Sequence, residues 1–335
     1  MHDPAFWYRP SSLTSRLLMP LGAIYGAVAA RRLARGGLDA GIPVLCVGNY
    51  HVGGAGKTPA VLALVNLLRD AGEAPIVLSR GYGGRLHGPI KVDPDRHAAT
   101  DVGDEPLMMS QAVPVVIARD RADGVALARS QGASVVLMDD GFQNPAIAKD
   151  ASLIVIDGDR GLGNACVFPA GPLRAPLAPQ LARTDALIIV GNGSAADTVA
   201  AAIAAQGGLV LRAHLTPSEA SVAALRGKRV LAFAGIGDPA RFFRTLRTSG
   251  VDVAAEKAFA DHHPFSQGEI ESLVTAAKRD RLTLATTEKD FARLGRKRAP
   301  DVVPFAVTLR FDDEAKLLRF VTDRLFKSRA KKFRA

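Results

Sequence analysis

From residue 43 onward, short runs of apolar and β-branched residues alternate with segments that carry apolar residues at helical spacing. This alternation is typical of βαβ units and predicts a largely parallel sheet. The runs are apolar almost throughout, as expected for strands that helices cover on both faces. The predicted strands are Val44 to Val47, Ile76 to Ser79, Val113 to Ala118, Val135 to Met138, Leu153 to Ile156 and Leu187 to Val190.

Four segments between these strands show the 3.6-residue apolar period of a helix. In the first segment, Val61, Leu64, Val65 and Leu68 fall on one stripe. At 335 residues and 48% hydrophobic content, the chain can supply cores for two α/β domains. The predicted helices are Thr58 to Ala71, Glu105 to Gln111, Arg119 to Gln131 and Ala196 to Gln206.

A second, smaller α/β domain is predicted at residues 218–302. It begins with a strand near Arg229 and a helix from Pro239. The extended segments 209–217 and 303–311 flank this domain, and we expect them to pair as a two-stranded hinge. The other predicted elements of the domain are a strand near Val251, a helix from Ser266 and a strand at Leu282 to Thr286.

Residues 1–208 are expected to form the first domain, which is built on the predicted parallel sheet. A helix is also expected near its N-terminus. The last helix, Glu314 to Phe326, lies within residues 312–335 and is expected to return to the first domain. We expect the Lys/Arg-rich tail beyond that helix to be solvated.

Residues 47–59 read VGNYHVGGAGKTP and lie between a predicted strand and a predicted helix. This is the setting of a phosphate loop, whose backbone amides surround phosphates at the start of a helix. The first domain is therefore expected to have a parallel sheet like that of P-loop NTPases, which are nucleotide-binding proteins. A chance glycine-rich turn is the less favoured alternative. His51 stands at the first glycine position of the motif, so the loop is expected to start differently. The predicted nucleotide-binding residues are Gly53, Gly54, Ala55, Gly56, Lys57 and Thr58, with Lys57 reaching the β- and γ-phosphates.

The segment VVLMDD, residues 135–140, ends a predicted buried strand in two carboxylates. P-loop enzymes hold magnesium with an aspartate at such a strand end and with the hydroxyl that follows the loop lysine. We therefore predict Thr58 and Asp139 as magnesium ligands, with Asp140 beside them. A turn-capping role for the two acids is the less favoured alternative.

Three further polar segments each have two interpretations. SRGYGG carries Arg80 and Tyr82 after the second strand, so it is either a phosphate or sugar site or a turn with a solvated arginine. In GDEP, Asp104 taken alone is an ordinary helix N-cap. In the DHH segment of the second domain, His262 taken alone belongs to a structural or surface histidine pair.

The net charge of +10 and the pI near 9.9 suit an anionic partner, whether nucleic acid, lipid surface or phosphorylated substrate. Cys46 and Cys166 match neither a disulfide framework nor a zinc site, so reduced thiols are expected. The arginine-flanked apolar stretch Leu17 to Ala30 is too short to span a bilayer. We reject a signal peptide because the nucleotide motif requires a nucleotide-containing compartment. The stretch is either a core-packing helix or a helix lying in a membrane interface.

The segments RPSSL, VGNYHVGGAGKTP, SRGYGG, GDEP, DDGFQ, PAGPLR, FAGIGDP, DHHPF and TEKD occur in this order along most of the chain. Together they resemble the tetraacyldisaccharide 4'-kinase family of lipid A biosynthesis. The resemblance implies ATP and Mg²⁺ as cofactors. It also implies transfer of the γ-phosphate to the 4'-hydroxyl of an acylated glucosamine disaccharide 1-phosphate. Neither a nucleic acid nor a protein partner is predicted.

The resemblance also implies roles for individual residues. Asp104 would be the base that receives the hydroxyl proton, and His262 would support it across a cleft whose closure excludes water. Lys57 would take part in catalysis. The N-terminal helix would dock on the anionic cytoplasmic face of the inner membrane, as a peripheral or monotopic anchor. The substrate's phosphate and sugars would contact Arg80, Tyr82, Arg119, Gln143 and Arg174.

Two positions depart from the family pattern. Asn144 stands where a histidine often follows DDGFQ, and Ala175 stands where an acid often follows PAGPLR. The first departure puts a side-chain role at position 144 in doubt, and the second does so for an acidic contact beside Arg174.

The alternative function is a membrane-associated P-loop ATPase or GTPase that acts as a switch. Thr287-Glu288-Lys289-Asp290 has the letters of a guanine-binding motif in the wrong order, which argues against GTP. A third interpretation, a dinucleotide site at Gly235-Ile236-Gly237, lacks the remaining glycine of its motif.

Overall fold

The computed structural model describes residues 4–10, 12–295 and 301–332. Within these ranges, the larger of two sheets has nine strands. They are β1 (Val44–Gly48), β2 (Pro75–Ser79), β3 (Ile90–Lys91), β4 (Val115–Ile117), β5 (Val135–Asp139), β6 (Ala151–Asp157), β7 (Ala186–Val190), β8 (Leu209–Pro217) and β13 (Val307–Phe311). Their spatial order is β13-β8-β7-β6-β1-β5-β2-β4-β3. Of the pairs that join them, those of the edge strands β3 and β13 are antiparallel and the others are parallel.

Both faces of this sheet are covered, because successive strand residues point to opposite sides. In β1, Leu45 and Val47 pack into one hydrophobic layer, and Val44 and Cys46 pack into the other. The α-helices in the described ranges are α1 (Leu13–Leu33), α2 (Lys57–Asp70), α3 (Ala99–Val102), α4 (Asp104–Ser110), α5 (Arg121–Ser130), α6 (Leu177–Leu181), α7 (Asp197–Ala205), α8 (Glu219–Leu225), α9 (Pro239–Thr248), α10 (Gln267–Asp280), α11 (Glu288–Leu294) and α12 (Glu314–Lys332).

The predicted α/β class with a parallel sheet is confirmed. All six predicted strands and all four predicted helices of the first domain are present, with ends shifted by one or two residues. Cys46 and Cys166 are free thiols, as expected. Burial raises the pKa of the Cys46 thiol to about 12, so it stays protonated at neutral pH.

The smaller sheet has four parallel strands among the described residues, in the order β10-β9-β11-β12. Helices α9 and α10 supply Phe243, Leu246, Ile270 and Leu273 to the two hydrophobic clusters around it. The strands are β9 (Arg229–Ala234), β10 (Asp252–Ala258), β11 (Thr283–Thr287) and β12 (Val302–Phe305).

Segment 303–311, expected to be one strand paired with segment 209–217, makes that pairing only in its second half. This segment forms two strands, of which β12 pairs with β11 in the smaller sheet and β13 pairs antiparallel with β8 in the larger one. Ala306 separates them because its N–H donates to the Ser221 hydroxyl and its carbonyl accepts from the Ser218 N–H. The smaller sheet therefore extends to Phe305, beyond the predicted boundary at 302. Whether β8 and β13 act as a hinge stays a prediction.

Helix α12 packs against the larger sheet, where Leu317, Val321 and Leu325 join one of its hydrophobic layers. The helix continues past the predicted end at residue 326. Arg329 forms two hydrogen bonds with Glu73, so this part of the basic tail is not simply solvated. Residues 333–335 of the predicted tail lie outside the described residues.

Candidate active site

The phosphate loop connects β1 to α2, as predicted. Gly56 is the N-cap of α2 and has a φ of 85°, a conformation that side-chain-bearing residues rarely adopt. The N–H groups of residues 53–58 donate no hydrogen bonds to other described residues. A row of unused amides at a helix N-terminus is an anion site, because the amides and the helix dipole both favour negative charge.

The start of the loop is built differently from the standard motif, as the histidine at position 51 indicated. His51 is buried and forms an isolated antiparallel bridge with Leu173 of the PAGPLR segment. The Asn49 side chain donates to the Gly53 carbonyl at 3.1 Å, which closes the loop on itself. Gly48 is needed because a Cβ there would lie 2.6 Å from the Cβ of Phe142.

Asp139 ends β5 directly beside the loop, where its neighbour on β1 is Val47. One carboxylate oxygen accepts a hydrogen bond from Ser79 at 3.1 Å, and the other, Oδ1, is buried without a hydrogen-bond partner. Burial, followed by the charges of Glu105 and Asp140, raises the pKa of Asp139 to about 7. A buried oxygen without a partner and a disfavoured negative charge are both features that a cation would relieve.

Asp140, the second predicted acid, faces Arg174 rather than standing free. Its two oxygens accept hydrogen bonds from the Arg174 guanidinium at 3.0 to 3.1 Å, and Lys57 Nζ lies 3.8 Å from Oδ1. Burial, the largest influence, raises the pKa of Asp140, but the charges of Lys57 and Arg174 outweigh it and lower that pKa. Asp140 is thus an ionised group that holds the loop lysine and Arg174 in place.

Asp104 and His262 meet across the two domains. His262 Nδ1 lies 3.1 Å from Asp104 Oδ2, although 158 residues separate them along the chain. The N-cap of α4 is Gly103, and Asp104 makes no capping hydrogen bond, so its interpretation as an ordinary N-cap was wrong. His262 has a φ of 57°, which is uncommon for a residue other than glycine. Strained backbone of this kind is often found at functional sites.

Two cations that the sequence analysis missed complete this cluster. Both lie on α11, and they contact Asp104 and its neighbour Glu105. Arg293 Nη2 donates to Asp104 Oδ2 at 2.5 Å, and Lys289 Nζ donates to Glu105 at 3.2 Å. The three-residue spacing of Asp290 and Arg293 places both on one helix face, and this spacing is the sequence feature that could have pointed to Arg293.

The cations also decide the ionisation of Asp104. Burial is the largest influence and raises the pKa of this carboxyl group. The hydrogen bond from His262 and the charges of Lys289 and Arg293 outweigh burial, so the pKa of Asp104 lies well below the usual carboxyl range. Asp104 is therefore ionised at neutral pH and able to accept a proton.

The other predicted substrate residues lie at the same edge of the sheet. Tyr82 is 71% exposed, and its ring meets the His262 ring edge to face at 6.0 Å. Arg80 and Arg119 are exposed after β2 and β4. Gln143 differs, because its amide donates to the Asn49 carbonyl at 2.8 Å and so supports the loop.

The N-terminal helix α1 is longer than the predicted apolar stretch. It has 21 residues, and by length and composition it could cross a membrane, which corrects the expectation that the segment is too short. Gly22 and Gly26 are buried against the protein, where a Cβ at Gly22 would lie 2.9 Å from the Val167 carbonyl oxygen. The opposite face is apolar and exposed at Leu13, Leu17, Met19, Leu21, Ile24, Tyr25 and Val28.

A family model described as tetraacyldisaccharide-1-P 4'-kinase, LpxK, matches residues 14–326. The chain belongs to this family. A relative named tetraacyldisaccharide 4'-kinase from Nitrobacter winogradskyi is 70% identical, over 98% of this chain and 99% of its own length. One from Rhodopseudomonas palustris with the same name is 66% identical, over 99% of each chain.

The fold of this family is also found in a solved structure. LpxK from Aquifex aeolicus, crystallised in complex with ATP, matches with a TM-score of 0.72 at 24% identity, over 93% of this chain and 100% of that chain. The resemblance drawn from the ordered motifs is therefore confirmed, as is the P-loop-like α/β class. Membership of a kinase family implies ATP with Mg²⁺ as cofactors and does not favour the alternative of a nucleotide-hydrolysing switch.

The structure also explains the two segments that resemble other nucleotide-binding motifs, TEKD at residues 287–290 and the Gly-x-Gly of FAGIG at residues 235–237. Asp290 of TEKD is fully buried and accepts a hydrogen bond from the Gly235 N–H at 2.9 Å. That bond uses an amide that a dinucleotide site would offer to a pyrophosphate. The TEKD and FAGIG segments are thus bonded to each other. The DHH turn is bonded to them as well, because the His262 N–H donates to the Gly235 carbonyl.

Proposed function

We propose that this chain is an ATP-dependent kinase of lipid A biosynthesis. It transfers the γ-phosphate to the 4'-hydroxyl of a tetraacyl glucosamine disaccharide 1-phosphate. The observation that best supports this function is the proximity of two sites at one sheet edge. Ser79 donates to Asp139 beside the phosphate loop, and three residues later Tyr82 meets the ring of His262, which bonds Asp104.

The phosphate loop supplies the nucleotide site in this proposal. The amides of residues 53–58 surround the phosphates, and Lys57 contacts the β- and γ-phosphates. Lys57 is held 3.8 Å from Asp140, and this ion pair fixes the lysine before the nucleotide binds.

Thr58 and Asp139 are the proposed magnesium ligands, with Asp140 next to them. Hydroxyl and carboxylate oxygens suit this ion, and Asp139 offers an oxygen that has no hydrogen-bond partner. Within the described residues, no group of three or more His, Cys, Asp or Glu could hold a metal. The proposed ion is held by one or two protein ligands and by the phosphates, as is usual for Mg²⁺. When bound, Mg²⁺ neutralises charge that develops on the phosphates.

Asp104 is the proposed general base. As the 4'-oxygen bonds to the γ-phosphorus, its proton moves to the Asp104 carboxylate. The bond from that phosphorus to the bridging oxygen breaks, and its electron pair leaves with ADP. His262 contacts Asp104 from the second domain, so the base is complete only when the two domains are together.

The acceptor is proposed to lie over the exposed edge next to Tyr82 and His262. Arg80 and Arg119 supply positive charge there for the 1-phosphate, and both remain proposed substrate residues. Gln143 and Arg174 remain proposed substrate residues as well, although both also support the loop.

The protein is proposed to sit on the cytoplasmic face of the inner membrane, where ATP is present and the acceptor's acyl chains are buried. The exposed apolar face of α1 would enter the lipid, while its other face stays packed on the protein. Arg31, Arg32 and Arg35 at the end of the helix are exposed and suit anionic headgroups.

The test uses the purified chain, γ-labelled ATP and tetraacyldisaccharide 1-phosphate in mixed micelles, with and without Mg²⁺. We expect label to enter the lipid only when Mg²⁺ is present. Lys57→Ala should abolish transfer while its thermal unfolding stays close to wild type. Release of phosphate from ATP at the same rate without the acceptor would support the switch alternative and contradict the kinase.

A further inference from the structure

Arg293 connects two buried carboxylates that belong to different domains. Its Nη1 donates to Asp290 Oδ1 at 2.7 Å within α11 and to the Gly235 carbonyl at 3.2 Å. Its Nη2 donates to Asp104 Oδ2 in the first domain. The side chains of Arg293 and Asp104 are only 10% and 7% exposed. The planar guanidinium is therefore fixed by the second domain and presented to the first.

Within the described part of the chain, the hydrogen bonds that reach the Asp104 carboxylate end on one of its two oxygens. Among the described residues, the hydrogen bonds from His262 and Arg293 both end on Oδ2, and Lys289 Nζ lies 4.0 Å from the same atom. A carboxylate that is held through one oxygen cannot turn about its Cβ–Cγ bond without breaking these bonds. The other oxygen, Oδ1, is left to accept a proton.

His262 is oriented from the same helix. Lys289 Nζ lies 3.3 Å from His262 Nε2, and an ammonium group can only donate. Nε2 is then the acceptor nitrogen, so Nδ1 carries the proton and donates it to Asp104 Oδ2. Helix α11 thus holds both members of the pair from one side.

We propose that Arg293 is a positioning residue for phosphate transfer, which holds the Asp104 carboxylate with Oδ1 turned toward the acceptor hydroxyl. This inference rests on the proposed role of Asp104 as the base. The bond to Arg293 comes from the second domain, so it forms only when the domains are together. Arg293 thereby links the approach of the domains to the readiness of the base.

The test is a double-mutant cycle on the full chain, with Arg293→Gln, Asp104→Asn and the double variant. Arg293→Gln is expected to lower kcat about 10- to 100-fold, as misplacement of a reacting group does, and to leave the KM for ATP within about twofold. In the Asp104→Asn background, the same change should lower kcat by less than about twofold, because the group it positions is already gone.

Two outcomes would overturn the proposal: a wild-type kcat for Arg293→Gln, or an equal fold-loss in both backgrounds. A wild-type kcat for Asp104→Asn would instead remove the assignment of the base itself, so the two failures are distinguishable. Arg247→Gln is the matched control, since it breaks an ion pair with Glu256 within the second domain. It is expected to retain wild-type kcat.

Arg293→Lys covers the case in which Arg293→Gln does not fold. Lysine keeps the charge but cannot bond both carboxylates, so kcat of Arg293→Lys should be at least about threefold below wild type. If Arg293→Gln folds, kcat of Arg293→Lys should be higher than that of Arg293→Gln. The loss should again disappear in the Asp104→Asn background. Wild-type turnover of Arg293→Lys, or an undiminished loss in that background, would overturn the proposal.

Discussion

Arg174 and Asp140 form a bidentate ion pair beside the phosphate loop, with Nη1 3.0 Å from Oδ1 and Nη2 3.1 Å from Oδ2. The Nε of the same guanidinium donates to the His51 carbonyl at 3.1 Å. One side chain thus ties the start of the loop to the end of β5. Arg174 was predicted only as a substrate ligand, and the structure gives it this second position as a support of the nucleotide site.

Arg174→Lys is therefore expected to weaken ATP binding, by about 3- to 30-fold. A lysine cannot make the bidentate pair and the bond to the loop carbonyl together. Calorimetric titration with a non-hydrolysable ATP analogue measures the effect. Arg183→Lys, an exposed arginine just after α6, is the control and should bind as wild type. Unchanged analogue binding with a raised KM for the lipid would make Arg174 a substrate ligand only.

The phosphate loop and the acid at the end of β5 could be predicted because each lies within one contiguous segment. In such segments the order of strand, glycines and helix fixes where the functional atoms lie. Arg293 and Asp104 are 189 residues apart, and no local pattern relates them. Only the packing of α11 against α4 brings them together, so the sequence and its family resemblance could propose Asp104 with His262 but not Arg293.

The division of segment 303–311 into two strands was missed for a related reason. The run VPFAVTLRF is extended throughout, so its pattern alone predicts one strand. The break at Ala306 is made by Ser218 and Ser221, which lie at the start of α8 and were not part of that pattern. Strand continuity was thus decided by tertiary hydrogen bonds rather than by local propensity.

The stability of the metal-free protein should depend on Asp139. The pKa of Asp139 in the folded state is raised to about 7, mainly by burial, above the ordinary carboxyl value of 3.8. Between these values the folded state binds a proton that the unfolded state has released, so this group lowers stability as pH rises from about 4 to 7. Asp139→Asn is expected to raise the Tm by about 2–5 °C at pH 8 and by less at pH 5.

Thermal unfolding of both proteins at pH 5 and pH 8, in the presence of a metal chelator, checks this expectation. Asp123→Asn provides the control, because Asp123 is an exposed carboxylate in the first turn of α5. A Tm difference for Asp139→Asn that is the same at both pH values would contradict the raised pKa of Asp139.

Among the residues that the structure describes, two ion pairs join the domains away from Asp104. Arg241 of α9 donates to Asp157 at the end of β6 at 2.6 Å, and Arg160 donates to Asp238 at 2.7 Å. Arg241→Gln leaves the buried Asp157 without its charged partner and should favour separation of the domains. We expect a larger radius of gyration by small-angle X-ray scattering. Equal radii for this variant, wild type and the control Arg279→Gln would show that the pair does not hold the domains together.

Membrane attachment should depend on the exposed face of α1. Leu17 and Ile24 are 80% and 67% exposed. Leu17→Glu and Ile24→Glu should each lower binding to anionic vesicles about 10-fold or more, because a charge replaces apolar area that lipid would bury. Vesicle flotation measures this. Phe326→Glu is the matched control, since Phe326 is 73% exposed on α12.

These substitutions test the anchor better than removal of residues 1–35. The Ser15 hydroxyl donates to the Ala170 carbonyl at 2.8 Å, and Gly26 packs against Pro176. Deletion would therefore expose the PAGPLR segment and disturb Arg174 beside the phosphate loop. Loss of activity after deletion would then say little about the membrane. Full vesicle binding by both glutamate variants would show that attachment does not use this helix face.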